Sequence, residues 1–408
     1  MPAQSISLLI VEDNPVYAEI LQRLLPTISH DFQFTINWMD TAEKALVELD
    51  RKAYGLVLLD YKLPGADGLT VLANIRQRPE GDQPAVIMLT GIGREDIAVQ
   101  AMKSGAKDYL AKDALDVASL LRAITSALER KNLETKLARS TRELREKNAQ
   151  LEADLTIARE IQLSFLPQTH PVFPASAPAV ESALTFHHRY HPTAAIGGDF
   201  YDILQLSDTA AGVFICDVMG HGVRAALITA VIRGLLEELK PAGADPGRFL
   251  TLINRALISV LRNTRVPTFA SAFYLVADTA RAEVRYANAG HPMPYFLHRA
   301  KKTVENLCTT DFTHGSALGV FNDSTYNTAA RPITPGDAII LYTDGLFEVP
   351  GADGVHFGEA RLFETVQRHS QLPPTELLNN IFQQVQIYSG TNGFLDDVCL
   401  VDVEIKHL

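Results

Sequence analysis

The chain has 408 residues, 47% hydrophobic and 21% charged, with a formal net charge of −11. At roughly 150 residues per domain that length predicts two or three domains, and the composition excludes a chain that is wholly disordered or fibrous. The acidic balance argues against non-specific binding to nucleic acid or anionic lipid, and no stretch approaches the ~20 apolar residues of a membrane span, so a cytoplasmic protein is expected.

Three cysteines, Cys216, Cys308 and Cys399, stand at wide spacing, and two lie in apolar runs that read as buried strands. Neither a disulfide framework nor a thiolate zinc site is expected from that pattern.

Residues 5–129 alternate short apolar runs (SLLIV, YGLVLLD, PAVIMLT, DYLAK) with stretches of helical period such as PVYAEILQRLL and DVASLLRAITSALE. Five βα repeats predict a doubly wound α/β domain with a parallel sheet. Ligands in such sheets gather beyond the carboxyl ends of the strands, where Glu12, Asp13 and Asp60 fall, followed by Thr90 and Lys112 after the fourth and fifth strands. Trp38 is expected in the core.

Those five positions, with LLDYKLPGADG around Asp60 and SGAKDYLAK around Lys112, resemble the receiver domain of bacterial response regulators. The resemblance implies the flavodoxin-like strand order 2-1-3-4-5, phosphorylation of Asp60 by a sensor histidine kinase or phosphotransfer protein, and Mg²⁺ held by Glu12, Asp13 and the Lys62 carbonyl. It further implies that Lys112 and Thr90 contact the phosphoryl oxygens and that Tyr109 reorients with Thr90. The chemistry is consistent: a carboxylate accepting a phosphoryl group needs a hard cation beside it.

Residues 130–165 contain no Gly or Pro, and 13 of the 35 residues from Lys131 to Phe165 are charged, as in one long exposed helix. Leu137, Leu144, Leu151, Ala158 and Phe165 recur every seven residues. With these at d, Thr141, Asn148, Leu155 and Gln162 fall at a, and leucine at d with one asparagine at a suits a parallel dimer whose register Asn148 fixes. A coiled-coil linker joining two copies of the chain is expected.

After a Pro-rich joint, residues 166–408 read as an α+β domain with two helical blocks, GVRAALITAVIRGLLEELK and DPGRFLTLINRALISVLRNT. Acids follow apolar runs or glycine turns in GGDFYD, CDVMGHG, YTDGLFE and LDDVCLV. Several carboxylates can converge only if cations separate them, and an all-oxygen set favours Mg²⁺ or Mn²⁺ over zinc.

Together with AGHP and FGEARL, in this order, these motifs resemble the SpoIIE/RsbU branch of the metal-dependent PPM serine/threonine phosphatases, which implies a β-sandwich flanked by helices. In that likeness Asp217 bridges two ions, the Val218 carbonyl serves one, Asp344 and Asp396 hold the other, and Asp199 binds directly or through water. Asp397 is the alternative to Asp396. AREIQLSFLPQ resembles the regulatory helix preceding the phosphatase in this branch. The implied substrate is a phosphorylated anti-sigma-factor antagonist of the STAS type. Cys399 departs from the usual Thr or Ser, and no arginine stands at the position that holds phosphate in the eukaryotic relatives, a departure the branch shares; Arg189 and Arg224 are candidates for the phosphate-binding group. His187, His188 and His191 read as a half-exposed strand, and His221 and His291 as turn-shaping residues rather than ligands. The competing function is a non-catalytic adaptor that binds a sigma factor, but it would have no need of four acids together. No helix-turn-helix or basic stripe suggests DNA binding.

Overall fold

The computed structural model describes residues 3–91, 95–193, 196–220, 222–262, 268–308, 314–390 and 393–408. The chain folds into two compact units, Met1–Ala149 and Gln150–Leu408.

The first unit runs β1 (Gln4–Val11), α1 (Pro15–Leu24), β2 (Phe32–Met39), α2 (Ala42–Arg51), β3 (Leu56–Asp60), α3 (Gly68–Arg76), β4 (Ala85–Thr90), α4 (Glu95–Lys103), β5 (Asp108–Ala111) and the start of α5 (Val117–Phe165). Its parallel sheet has the order β2-β1-β3-β4-β5, as expected. β3 and β4 are buried along their whole length, because helices cover both faces of such a sheet and leave no polar side. Helix starts follow their caps: the Asn14 side chain accepts from the Val16 and Tyr17 amides, Thr41 caps α2 and Asp67 caps α3.

Trp38 departs from expectation. It is 37% exposed, because β2 is the sheet's edge strand, and its indole Nε1 donates to the Glu12 carbonyl at 2.8 Å instead of filling the core.

α5 is continuous over 49 residues, so the fifth receiver helix and the charged stretch are one element. Leu137, Leu144 and Leu151 are 69%, 59% and 59% exposed, and Asn148 is exposed with them. The heptad frame fails at its end. Gln162, expected at an a position of the seam, is buried within the second unit, and Phe165 packs against that unit's core.

The second unit runs β6 (Leu184–His191), β7 (Asp199–Gln205), β8 (Ala210–Val218), α6 (Val223–Leu239), α7 (Pro246–Leu261), β9 (Ala270–Asp278), β10 (Glu283–Ala289), β11 (Tyr295–His298), β12 (Thr303–Asn306), β13 (Ala329–Pro332), β14 (Asp337–Tyr342), α8 (Gly358–His369), α9 (Pro374–Ser389) and β15 (Val398–Ile405). Two antiparallel sheets form, β13-β10-β9-β8-β7 and β12-β11-β14-β15-β6. One core joins them through Tyr201, Ile215 and Phe273 on the first and Phe296, Leu341 and Val401 on the second, and continues through Phe200, Phe214 and Tyr274 on the first sheet's other face to the apolar faces of α6 and α7. A second cluster seats α8 and α9 on the outer face of the second sheet. The sandwich flanked by helices is as expected, but α8 and α9 add to the two helical blocks read from sequence. The apolar positions of α9, Leu377, Leu378, Ile381, Phe382 and Val385, are helical in spacing but are separated by NN and QQ pairs that mask the period. Cys216 and Cys399 are buried and all three cysteines are free.

Candidate functional sites

In the first unit, strand ends bring the acids together. Glu12 follows β1, Asp60 closes β3, and carboxylate oxygens of Glu12, Asp13 and Asp60 all lie within 4.8 Å of one another, the one such group found among the described residues. Lys112 Nζ lies 2.6 Å from Glu12 Oε2 and 2.9 Å from Asp60 Oδ2. Burial, then the Asp60 charge, raises the Glu12 pKa, and burial with the Asp13 charge raises that of Asp60. Burial opposes the charge on Lys112, yet hydrogen bonds to both acids leave its pKa raised. One ammonium against three carboxylates leaves the cluster short of positive charge, so the donor set fits a hard divalent cation.

The Lys62 amide donates to Asp60. Thr90 is buried at the end of β4, its hydroxyl 3.5 Å from the Leu110 carbonyl, and Tyr109 is exposed. Tyr17, which sequence reading missed, lies with its ring 4.8 Å from Lys112 Nζ and its hydroxyl donating to the Lys112 carbonyl. Only the fold brings α1 against the end of β5, so no sequence signal could have found it.

In the second unit, Asp199 on β7 and Asp217 on β8 are directly opposed in the ladder, and Ser271 on β9 flanks Asp217. Asp344 opens a 3₁₀ turn just after β14. Thr343 donates its hydroxyl to Asp199 Oδ2 at 2.5 Å. Burial and the neighbouring Asp217 push the Asp199 pKa far up. Burial, then Asp344 and Asp396, push Asp217 up to about 7, and burial with Glu348 and Asp396 raises Asp344. The strongest charged influences on all three are other carboxylates, so these residues fit oxygen-ligated divalent cations rather than internal ion pairs.

The two candidate acids of LDDVCLV differ in employment. Asp397 is buried: its Oδ1 accepts from the Thr193 amide and hydroxyl at 2.8 and 3.2 Å, and its Oδ2 from the Gly198 amide at 2.6 Å. Asp396 is exposed, and its Oδ1 accepts from the Asp397 amide. Glycines make the close approach possible. A Cβ on Gly198 would sit 2.7 Å from the Val218 carbonyl, and one on Gly345 would sit 2.0 Å from the Asp397 carbonyl.

A cleft of about 510 Å³ opens over these groups, lined by Asp217 and Asp344 and also by Glu348, Glu359 and His291. The two glutamates were in motifs already singled out, without a role. His291 is turned by Asn288, which accepts from its amide and donates to its carbonyl, while its Nδ1 lies 2.8 Å from Ser271 Oγ. Burial lowers its pKa to about 3, so it is neutral. His221 lies outside the described residues.

Neither arginine candidate lines this cleft among the described residues. Arg189 donates to Asn379 and stacks on Phe382 at 4.2 Å, and Arg224 is exposed in the first turn of α6. β6 is half-exposed as expected: His191 packs between Phe382 and Phe394, His188 against Tyr201 and His170, and His187 meets Thr375.

The first unit thus carries an acid cluster at the strand ends of a parallel sheet, and the second a two-sheet domain with an acid-lined cleft. Residues 8–125 match the response regulator receiver domain model and residues 207–406 match the Stage II sporulation protein E (SpoIIE) model. The chain therefore joins a response regulator receiver domain to a SpoIIE domain. It is 27% identical over 256 residues to phosphoserine phosphatase RsbP of Bacillus subtilis (strain 168), covering 62% of this chain and 58% of RsbP. It is 24% identical to phosphoserine phosphatase RsbU of the same organism, over 58% of this chain and 65% of RsbU. The chain thus spans less than two thirds of the length of either relative. The SiaA-PP2C domain of Pseudomonas aeruginosa has the same fold, with a TM-score of 0.54 and 23% identity over 63% of this chain and 98% of that domain. Among the described residues, no helix is long and apolar enough to cross a membrane.

Proposed function

We propose that the chain is a response regulator whose output is metal-dependent hydrolysis of phosphoserine or phosphothreonine on a protein, controlled by phosphorylation of Asp60. The observation that carries this reading is the convergence of Asp199, Asp217 and Asp344 beneath an acid-lined cleft, with the Asp217 pKa pushed up to about 7 by burial and by other carboxylates.

In this reading Asp217 would be the ligand shared by two ions, the Val218 carbonyl would serve one, Asp344 and Asp396 would hold the other, and Asp199 would bind directly or through water. The exposure of Asp396 and the full hydrogen bonding of Asp397 favour the former as ligand. Bound Mg²⁺ or Mn²⁺ would supply a nucleophilic water at neutral pH and charge to offset the phosphoryl group. The chain itself orients Asp199 through Thr343, fixes the loop carrying Asp396 through Asp397, and shapes an open cleft suited to a protein side chain.

In the receiver, Asp60 is the phosphoryl acceptor, fed by a sensor histidine kinase or phosphotransfer protein, with Glu12, Asp13 and the Lys62 carbonyl holding Mg²⁺. Lys112 and Thr90 read the phosphoryl group, and Tyr109 follows Thr90. The exposed stripe of Leu137, Leu144 and Leu151 with Asn148 supports a parallel homodimer through α5. A phosphorylated anti-sigma-factor antagonist of the STAS type is the proposed substrate, resting on the likeness to the RsbU branch.

The test is Mn²⁺-dependent phosphate release from a phosphoserine protein of that type, with and without acetyl phosphate. Turnover that chelator abolishes and acetyl phosphate alters is expected. Stoichiometric binding of a sigma factor without turnover would replace the enzyme with an adaptor.

A further inference from the structure

Away from both acid clusters, the first unit carries a cleft of about 500 Å³ at the end of the sheet where β4 and β5 begin, opposite the end that holds Asp60. Arg76, Lys107, Lys131, Arg139 and Arg142 line it, and among the described residues Glu134 is the one acid in its lining. In a chain of net charge −11 this concentration of cations is local.

Lys107 is buried and pairs with Glu134, which leaves four cations with no carboxylate partner among the described residues that line the cleft. Lys131 has no ion pair among the described residues, and burial together with the Lys107 charge depresses its pKa, as for an ammonium lacking its counter-charge. The Arg76 guanidinium donates to the neutral Gln83 side chain. Arg139 and Arg142 reach only to Glu143 and Glu146 on their own helix, with side chains 82% and 83% exposed. Exposed pairs of that kind are weak and are readily exchanged for another anion. Ile75 and Val86 supply an apolar floor.

The helix face is also distinct. Lys131, Thr135, Ala138 and Arg142, spaced by four, three and four, share one side of α5, whereas Leu137 and Leu144 lie two residues further on and so on the opposite side. A coil through the leucines would leave the cleft open.

We propose that this cleft binds an oligophosphate anion, whether free polyphosphate or the phosphate chain of a nucleotide, and thereby ties the exposed part of α5 to the receiver as an input separate from Asp60. Guanidinium and ammonium groups that line the cleft both from the α/β domain and from α5 match several phosphates better than a single carboxylate. The apolar floor is where a base would lie.

Calorimetry on the full chain in chelator, with inorganic tripolyphosphate and separately ATP as probes, tests this. Saturable binding that weakens with salt is expected, and it should fall by about tenfold or more in Lys131→Gln and in Arg142→Glu. ATP binding tighter than tripolyphosphate identifies a nucleotide, and equal affinity identifies free polyphosphate. Labelling of Asp60 by acetyl phosphate, unchanged in both variants, reports an intact receiver, and Arg142 is exposed enough for its substitution to spare folding. Absence of binding by either probe, or binding that survives both substitutions, overturns the proposal.

Discussion

Gln162, in the last turn of α5, holds Gly197 with both ends of its amide: Nε2 donates to the Gly197 carbonyl at 2.7 Å, and Oε1 accepts from the Gly197 amide at 3.0 Å. The next residue, Gly198, donates to Asp397, and the one after that is Asp199. The end of the linker helix thus grips the chain two residues before a candidate metal ligand. Gln162→Ala leaves a buried amide and carbonyl unpaired, at about 1–3 kcal/mol each. The expected outcome is a lower melting temperature and a raised Mn²⁺ requirement with the fold retained, checked by calorimetry and by activity against metal concentration.

Asp217→Asn and Asp344→Asn should each reduce phosphate release by more than ~100-fold, since partners one shell further out already cost 10–100-fold. Circular dichroism should show folded protein, because neither side chain anchors the core. Full turnover of either variant at saturating Mn²⁺ would refute the ligand assignment.

Asp402 gives a pH test away from the cleft. It is fully buried, neither carboxylate oxygen has a hydrogen-bond partner among the described residues, and burial, opposed by Arg299, lifts its pKa to about 7. Between about pH 4 and pH 7 the folded state keeps a proton that the unfolded state releases, so this group removes stability as pH rises. Asp402→Asn should therefore melt close to the parent near pH 4 and several degrees above it at pH 8, at about 2–4 °C per kcal/mol. Melting curves across that range decide it.

Asp60→Ala should abolish labelling by acetyl phosphate. Lys112→Ala removes the ammonium between Glu12 and Asp60 and should leave labelling measurable while uncoupling it from phosphate release. Label persisting on Asp60→Ala, followed by mass spectrometry, would move the acceptor elsewhere.

Leu144→Pro breaks α5 midway at a cost of about 3 kcal/mol or more. Light scattering should show a weakened dimer, while Asp60 labelling and Mn²⁺ binding remain and the response of turnover to phosphorylation disappears. A proline variant that stays dimeric and responsive would make the helix a passive spacer.

The sequence by itself determined the local order: five βα repeats, a long charged helix with a leucine stripe, and acids at strand ends, because strand and helix periods and cap residues are short-range signals. It also located Glu12, Asp13 and Asp60, since the ends of parallel strands converge whatever the loops do. Tertiary structure alone decided the employment of chemically identical neighbours. Asp396 and Asp397 are adjacent aspartates, yet pairing of β15 with β6 and the approach of Gly198 and Thr193 turn one inward and leave the other exposed. Gln162 fitted a coil seam by spacing, but the partner that satisfies its amide lies 35 residues onward, and a long-range hydrogen bond leaves no period to read. Trp38 went to the rim for a similar reason: hydrophobicity predicts burial, but only strand order makes β2 an edge.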